Sequence, residues 1–201
     1  MQTLTNQSAD KALLGCLQRG HVYRREDLRQ YSRAVDRHLG QLVGSGAMTK
    51  LSQGLYGVPR VCRFGVVPPT AERVVAAFLR GGSFLMFSPS AYNCLGLGTT
   101  QLYNTQVVYN RKRHGMFTLG GKVFDFRVKP HFPKTLTPAF LWVDLLNNLA
   151  ALPEDSAPVL ALSQQKWAAL SASELKATKA AVAAYGSQAT RKLLQSWATA
   201  C

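Results

Sequence analysis

The chain has 201 residues, 47% of them hydrophobic and 17% charged, which is enough apolar material for one large domain or two small ones and too much for a disordered chain. Its 24 Lys and Arg against 10 Asp and Glu give a net charge of +14, the balance of a nucleic-acid binder, although anionic membranes and acidic proteins attract the same field. No apolar run approaches the ~20 residues of a membrane span, the opening MQTLTNQSADK lacks the basic-then-apolar order of a secretory signal, and Cys16, Cys62, Cys94 and Cys201 form no C-x-x-C pair, so the expectation is a cytoplasmic protein without metal or cofactor.

The positive charge is unevenly spread. Residues 1–63 hold ten basic and four acidic side chains, residues 64–150 nine and three, and the remainder five and three. The field therefore belongs to the first two segments.

In chain order, Ser8 to Arg19 is predicted to be a helix, capped by Ser8, with Ala12, Leu13, Cys16 and Leu17 on its apolar face and Gly20 as the left-handed residue after its end. Cys16 reads as a small core residue. His21 to Tyr23 reads as a short strand. Arg24 to Gln30 reads as a short helix with Leu28 inward and Arg25 and Arg29 on a common face; Arg24, Arg25 and Arg29 are the candidates for phosphate contacts, which position a protein without reading sequence.

The next helix carries the functional reading. Ser32 is a good N-cap, and Val35, Leu39, Leu42 and Val43 recur at i, i+4, i+7 and i+8, a single buried stripe. At about 100° per residue Arg33, Arg37 and Gln41 fall on the opposite side. Arginine makes two-pronged contacts with guanine and glutamine with adenine, so Ser32, Arg33, Arg37 and Gln41 are the candidates for base readout. Arginines on an exposed helix also fit an ordinary solvated face. The surrounding order favours DNA: a short basic helix before, Gly44-Ser45-Gly46 as a stop, then strands Met48 to Leu51 and Leu55 to Val58 joined by Ser52-Gln53-Gly54. That is the outline of a winged helix-turn-helix, with Lys50, Ser52 and Gln53 near the tip of the wing and Pro59 ending its second strand.

Residues 60 to 69, RVCRFGVVPP, read as a connector. Thr70 caps a helix through Arg80 with Val74, Val75, Phe78 and Leu79 on its apolar face, and Ser83 to Phe87 is a buried-strand candidate. Ser88-Pro89 opens a short helix, AYNCLGLG. Tyr103 to Asn110 has strand composition, the basic run Arg111-Lys112-Arg113-His114-Gly115 reads as a hairpin turn, and 117–128 continues as strands. After a proline-spaced loop, Ala139 to Leu152 returns to helix, with Phe140, Leu141, Val143, Leu145, Leu146 and Leu149 inward. Helices from about Ser163 to Leu170, Ser173 to Tyr185 and Gln188 onward follow; alanine-rich pieces of this kind serve as partner-facing bundles or, more simply, as core packing. The fold class expected is α+β: residues 1–62 a winged helix-turn-helix, residues 63–201 a mixed α/β domain with a helical tail.

No catalytic constellation emerges. There is no G-x-S-x-G, P-loop or helix-opening G-x-G-x-x-G, and His21, His38, His114 and His131 are too dispersed for a metal pattern. Asp125 with Lys129 could be a fragment of a metal-dependent nuclease site, but no second carboxylate accompanies it at suggestive spacing. Cys94 lies in an apolar stretch without a neighbouring base.

The order LSQGLYGVP, a helix started by PPT, SPSAYNCLGL and NTQVVYN with its basic turn resembles the AbiEi-type antitoxins of bacterial type IV toxin-antitoxin systems, in the group with a short winged helix. The resemblance runs from about residue 12 to 150, and its most specific pieces are Gly54-Leu55-Tyr56 and Ser90-Ala91 to Gly96-Leu97. It implies a winged helix that binds inverted repeats at its own promoter and represses it, and a second domain that counters a nucleotidyltransferase-like toxin. Ser32, Arg33, Arg37, Gln41 and the wing would then carry operator recognition. Toxin antagonism would reside between Phe84 and Val128, around the basic turn Arg111, Lys112, Arg113. The chain departs from longer relatives in its compact middle and alanine-rich tail. Palindromic operators imply two copies on DNA. The alternatives are a winged-helix regulator without a toxin partner and a DNA-processing nuclease.

Overall fold

The computed structural model describes residues 12–153 and 155–199. The architecture is α+β, and the chain groups into two compact units: Met1–Gly82 with Met116–Phe124, and Ser83–Gly115 with Asp125–Cys201.

The first unit opens with helical residues 12–15; the expected cap at Ser8 lies outside the described residues. Leu13 and Leu17 are buried, but Ala12 and Cys16 are exposed, so the expectation of a core Cys16 is corrected. The helix gives way to a turn at residue 16, so the periodicity that would have carried Cys16 inward stops there. Strand β1 (Val22–Arg24) leads into the single-turn helix α1 (Arg25–Leu28) and the ten-residue helix α2 (Val35–Gly44). Strands β2 (Thr49–Ser52) and β3 (Leu55–Gly57) follow, and the sheet order is β1-β3-β2 with both pairs antiparallel. Gly54 turns the β2–β3 hairpin at φ +69°, a left-handed conformation that costs a side-chain-bearing residue ~1–2 kcal/mol. Leu13, Leu17, Leu28, Val35, Leu39, Leu42, Met48 and Val58 form the core.

Residues 60–67 correct the expected connector. They form a hairpin, β4 (Arg60–Cys62) against β5 (Gly65–Val67), that among the described residues joins no larger sheet. Helix α3 (Ala71–Phe78) starts at Thr70, whose Oγ1 accepts from the Arg73 amide at 3.4 Å. Val74, Val75 and Leu79 are its buried residues.

In the second unit β6 (Leu85–Phe87) precedes a 3-10 helix, Pro89–Leu95, capped by Ser88. Strand β7 (Gln106–Asn110) follows; β8 (Gly115–Leu119) and the start of β9 (Lys122–Val128) belong mostly to the residues of the first unit, and the sheet order is β6-β7-β9-β8. The basic run after Asn110 is therefore not the hairpin turn that the sequence suggests. It links two strands that flank β9, and the two-residue hairpin turn is Gly120-Gly121, where both glycines have positive φ. A turn of that type needs φ > 0 at both central residues, which a run of Arg, Lys and His adopts only under strain.

Helix α4 (Pro138–Asn148), capped by Thr137, is buried from Phe140 to Leu145 without interruption, the pattern of a helix enclosed on all sides. Helices α5 (Ser156–Ala168), α6 (Ala172–Tyr185) and α7 (Gln188–Thr199) pack Val159, Trp167, Leu194 and Trp197 into one core with Leu85, Phe87, Tyr92, Tyr109, Phe140 and Trp142. Helix α5 begins seven residues before the expected Ser163, because Asp155 caps it through the Ala157 amide at 3.1 Å. Ser171 and Glu174 form a reciprocal capping box on α6, which holds the Glu174 carboxyl below its ordinary range.

Candidate nucleic-acid interface

Helix α2 lays Val35, His38, Leu39 and Leu42 against the core and leaves Asp36, Arg37 and Gly40 exposed and Gln41 half-buried. Arg37 and Gln41 are one turn apart on the outer side, as the periodicity predicts. Two expectations at the helix start are corrected. The helix begins at Val35 with Ala34 as its cap residue, so Arg33 lies before the helix, and Ser32 is no N-cap. The Ser32 hydroxyl accepts from the Ala34 amide at 3.1 Å and pairs with buried His38 Nδ1 at 2.8 Å. Serine side chains readily bond a backbone amide two residues on, which stabilises a turn in place of the first helical turn. Ser32 thus builds the turn between α1 and α2, and buried His38 holds it.

The phosphate candidates divide. Arg24 is removed from that role: its Nε donates to the Ala77 carbonyl at 2.8 Å and its guanidinium to the Phe78 carbonyl at 2.6 Å. Both acceptors lie at the C-terminal end of α3, where the negative end of the helix dipole favours a cation. Arg25 forms a two-pronged pair with Asp36, with Nε at 2.5 Å from Oδ1. That hydrogen bond, with the attraction behind it, raises the Arg25 pKa and lowers that of Asp36. Arg29 is exposed just after α1.

The pairings shape the field. Asp36 is the sole carboxylate of α2 and is engaged by Arg25; Glu26 is engaged by Arg80 at 2.8 Å and Arg24 at 3.4 Å. Asp36 and Glu26 are thus each engaged within the unit, and Arg29, Arg33 and Lys50 are exposed on the elements around the helix. The sequence offered one signal for the Arg25–Asp36 pair, opposite charges flanking a turn, but no spacing rule that chooses Asp36 over Asp27.

The β2–β3 hairpin sits at a defined distance from α1, because the Arg25 amide donates to the Gly54 carbonyl at 3.0 Å. Lys50 is exposed opposite Tyr56, Ser52 is half-buried beside a bulge in the register, and Gln53 is exposed at the turn. The candidates Arg33, Arg37, Gln41, Lys50, Ser52 and Gln53 therefore all fall on elements tied to α1 and α2.

The basic turn of the second unit is built from below by Asn110, which is fully buried. Its Oδ1 accepts from the Lys112 and Arg113 amides at 2.8 and 2.7 Å, and its Nδ2 donates to the Arg113 carbonyl at 2.9 Å. Arg111 is exposed, its guanidinium 5.9 Å from the Phe132 ring centre. The same unit buries a network that no sequence signal marked. Asp144, 2% exposed, accepts from the hydroxyls of Tyr92 at 2.7 Å and Tyr109 at 2.8 Å. Arg127 spans Asp125 at 2.8 Å and Asn148 at 3.0 Å, and Asn148 reaches the Tyr109 hydroxyl at 3.4 Å.

Asp125, the nuclease candidate, is thus held by Arg127, and the Lys129 ammonium lies 5.3 Å from the Tyr109 ring centre. Among the described residues no three His, Cys, Asp or Glu side chains converge to hold a metal, and no helix is long and apolar enough to cross a membrane. Cys94 is exposed. Compared with family models, curated proteins and solved structures, the chain matches none.

Proposed function

We propose that the first unit is a winged helix-turn-helix that binds operator DNA and represses its own operon. The element order β1–α1–α2–β2–β3, with β1 completing the hairpin sheet, supports the reading, since that order sets a helix beside a wing for the major groove. The observation that carries it is the outward side of α2: Arg37 and Gln41 one turn apart, Arg33 in front of them, and the helix's only carboxylate paired with Arg25. In this reading Arg33, Arg37 and Gln41 contact base edges, and Arg29, Lys50, Ser52 and Gln53 contact the backbone. Two copies meet an inverted repeat. The second unit counters a nucleotidyltransferase-like toxin, by the AbiEi-type resemblance of the SPSAYNCLGL and NTQVVYN segments and the presented turn Arg111 to Arg113.

The test is a footprint of the whole chain on the DNA upstream of its reading frame. Arg33→Ala and Arg37→Ala should each weaken the specific site by about 1–3 kcal/mol and relax preference at their base pairs, whereas Lys50→Ala should weaken all sequences alike and reduce the salt slope by about one. An unchanged footprint with both arginines replaced defeats the assignment. For the second unit, the whole chain is co-expressed with the product of the adjacent reading frame; growth arrest that persists leaves a regulator without an antitoxin role.

A further inference from the structure

The β4–β5 hairpin stands apart from the three-stranded sheet of its unit. Its register pairs Arg60 with Val67, Val61 with Val66 and Cys62 with Gly65, and it keeps an apolar surface in solvent: Val61 is 63% exposed, Val66 67% and Phe64, at the turn, 86%. A two-stranded ribbon is marginal in water by itself, and a cluster of exposed apolar side chains marks a contact surface. Charge identifies the occupant. No carboxylate occurs between Asp36 and Glu72, a stretch that holds Arg37, Lys50, Arg60 and Arg63. At the tip the Arg63 guanidinium lies 4.8 Å from the Phe64 ring centre, so cation and aromatic face are presented together. A polyanion whose bases offer flat faces matches both; a purely apolar protein surface would leave the two arginines uncompensated.

We propose that the ribbon Arg60–Val67 is a second contact with duplex DNA, in which Arg60 and Arg63 lie against phosphates of the minor groove and Phe64 wedges into a base step. The proposal rests on the DNA-binding reading above and adds a bend to it. Each three-residue strand rises about 10 Å, enough for the tip to reach the floor of a groove roughly 7.5 Å deep. The groove, about 6 Å wide, must open to admit a ring, and partial unstacking at the step kinks the duplex by some 20–90°.

The experiment uses the whole chain and DNA from upstream of its reading frame, labelled at both ends, so that energy transfer reports the bend and titration reports affinity. With the wild type the ends should approach. Phe64→Ala should abolish most of the approach and lower affinity about tenfold; R60A/R63A should lower affinity and flatten the salt dependence by about two units of slope. These side chains are exposed, and unchanged circular dichroism and melting should accompany the loss. Wild-type binding and bending retained in F64A and R60A/R63A overturn the ribbon contact while leaving the helix α2 reading intact. Failure of the wild type to bind any duplex overturns both. Self-association lost in F64A with bending unchanged also overturns the proposal, making the ribbon an interface between copies.

Discussion

Replacing Asp144 tests whether the second unit is held by a buried carboxylate or merely contains one. In Asp144→Ala the hydroxyls of Tyr92 and Tyr109, which belong to residues 3% and 1% exposed, lose the acceptor at 2.7 and 2.8 Å. A buried donor left without a partner costs about 1–3 kcal/mol. Two of them, less the relief of no longer burying a carboxylate, give a loss of about 3 kcal/mol and a fall in Tm of roughly 6–12 °C for a chain of this size. Asp144→Asn keeps an acceptor and the side-chain volume and should lose about half as much. Substituting all three positions, Y92F/Y109F/D144L, should recover most of the stability, because removing donor and acceptor together leaves nothing unpaired.

The pH profile gives a second reading of the same group. Burial raises the Asp144 pKa, against the opposing pull of the Tyr92 and Tyr109 hydroxyls and of Lys129 and Arg127. The folded chain therefore keeps this proton to higher pH than the unfolded one. Its contribution to stability is complete below the unfolded carboxylate value, about 3.9, declines as pH rises through the folded value, and is flat above it. That decline should vanish in Asp144→Asn when unfolding in urea is followed across the acid range. A loss under about 1 kcal/mol in Asp144→Ala, or strict additivity among the three positions, would refute the reasoning.

Arg24→Ala should destabilise the first unit by about 2–3 kcal/mol, because two charge-assisted hydrogen bonds to the α3 carbonyls disappear. Arg24→Lys should not restore it, since an ammonium cannot reproduce the guanidinium fork; urea unfolding with hydrogen exchange at α3 reads both, and full rescue by lysine would contradict the capping role. At the β8–β9 turn Gly120 has φ +58°, and an added Cβ would lie 2.9 Å from Leu51 Cδ2, whereas Gly121, at φ +79°, meets nothing within 4 Å. Thermal unfolding should therefore show Gly121→Ala costing ~1–2 kcal/mol for backbone strain alone, and Gly120→Ala costing more; equal losses would mean that Leu51 moves aside freely.

What could be read from the chain follows how local the cause is. The stripe Val35, Leu39, Leu42 and Val43 is one helix's own periodicity, and its first three members are buried while Val43 is half-buried. The cap Thr70 acts within three residues and accepts from the Arg73 amide as expected; Thr137, inside the expected proline-spaced loop, caps α4 in the same way. Ser32 has the same local chemistry and reads as a cap, but its competing partner, His38, meets it only once α2 exists. The run at Arg111 reads as a hairpin turn, and it is a bend between strands that do not pair. Sheet order, which made it a link past β9 and not a hairpin, depends on pairings between strands far apart in sequence.

The same division applies to charge. The sequence by itself determined that the chain is α+β, that its charge is +14, and that an amphipathic helix bears Arg37 and Gln41 away from its apolar stripe, because composition and periodicity need no partner beyond the next turn. Only the tertiary structure decided which cations are drawn into pairs elsewhere in the fold. Arg24 goes to the end of a helix more than fifty positions away and Arg25 to Asp36, while Asp144 gains its two tyrosines from a 3-10 helix and a strand. A guanidinium or carboxylate pairs with whatever the fold brings within about 3 Å, and no local pattern encodes that distance.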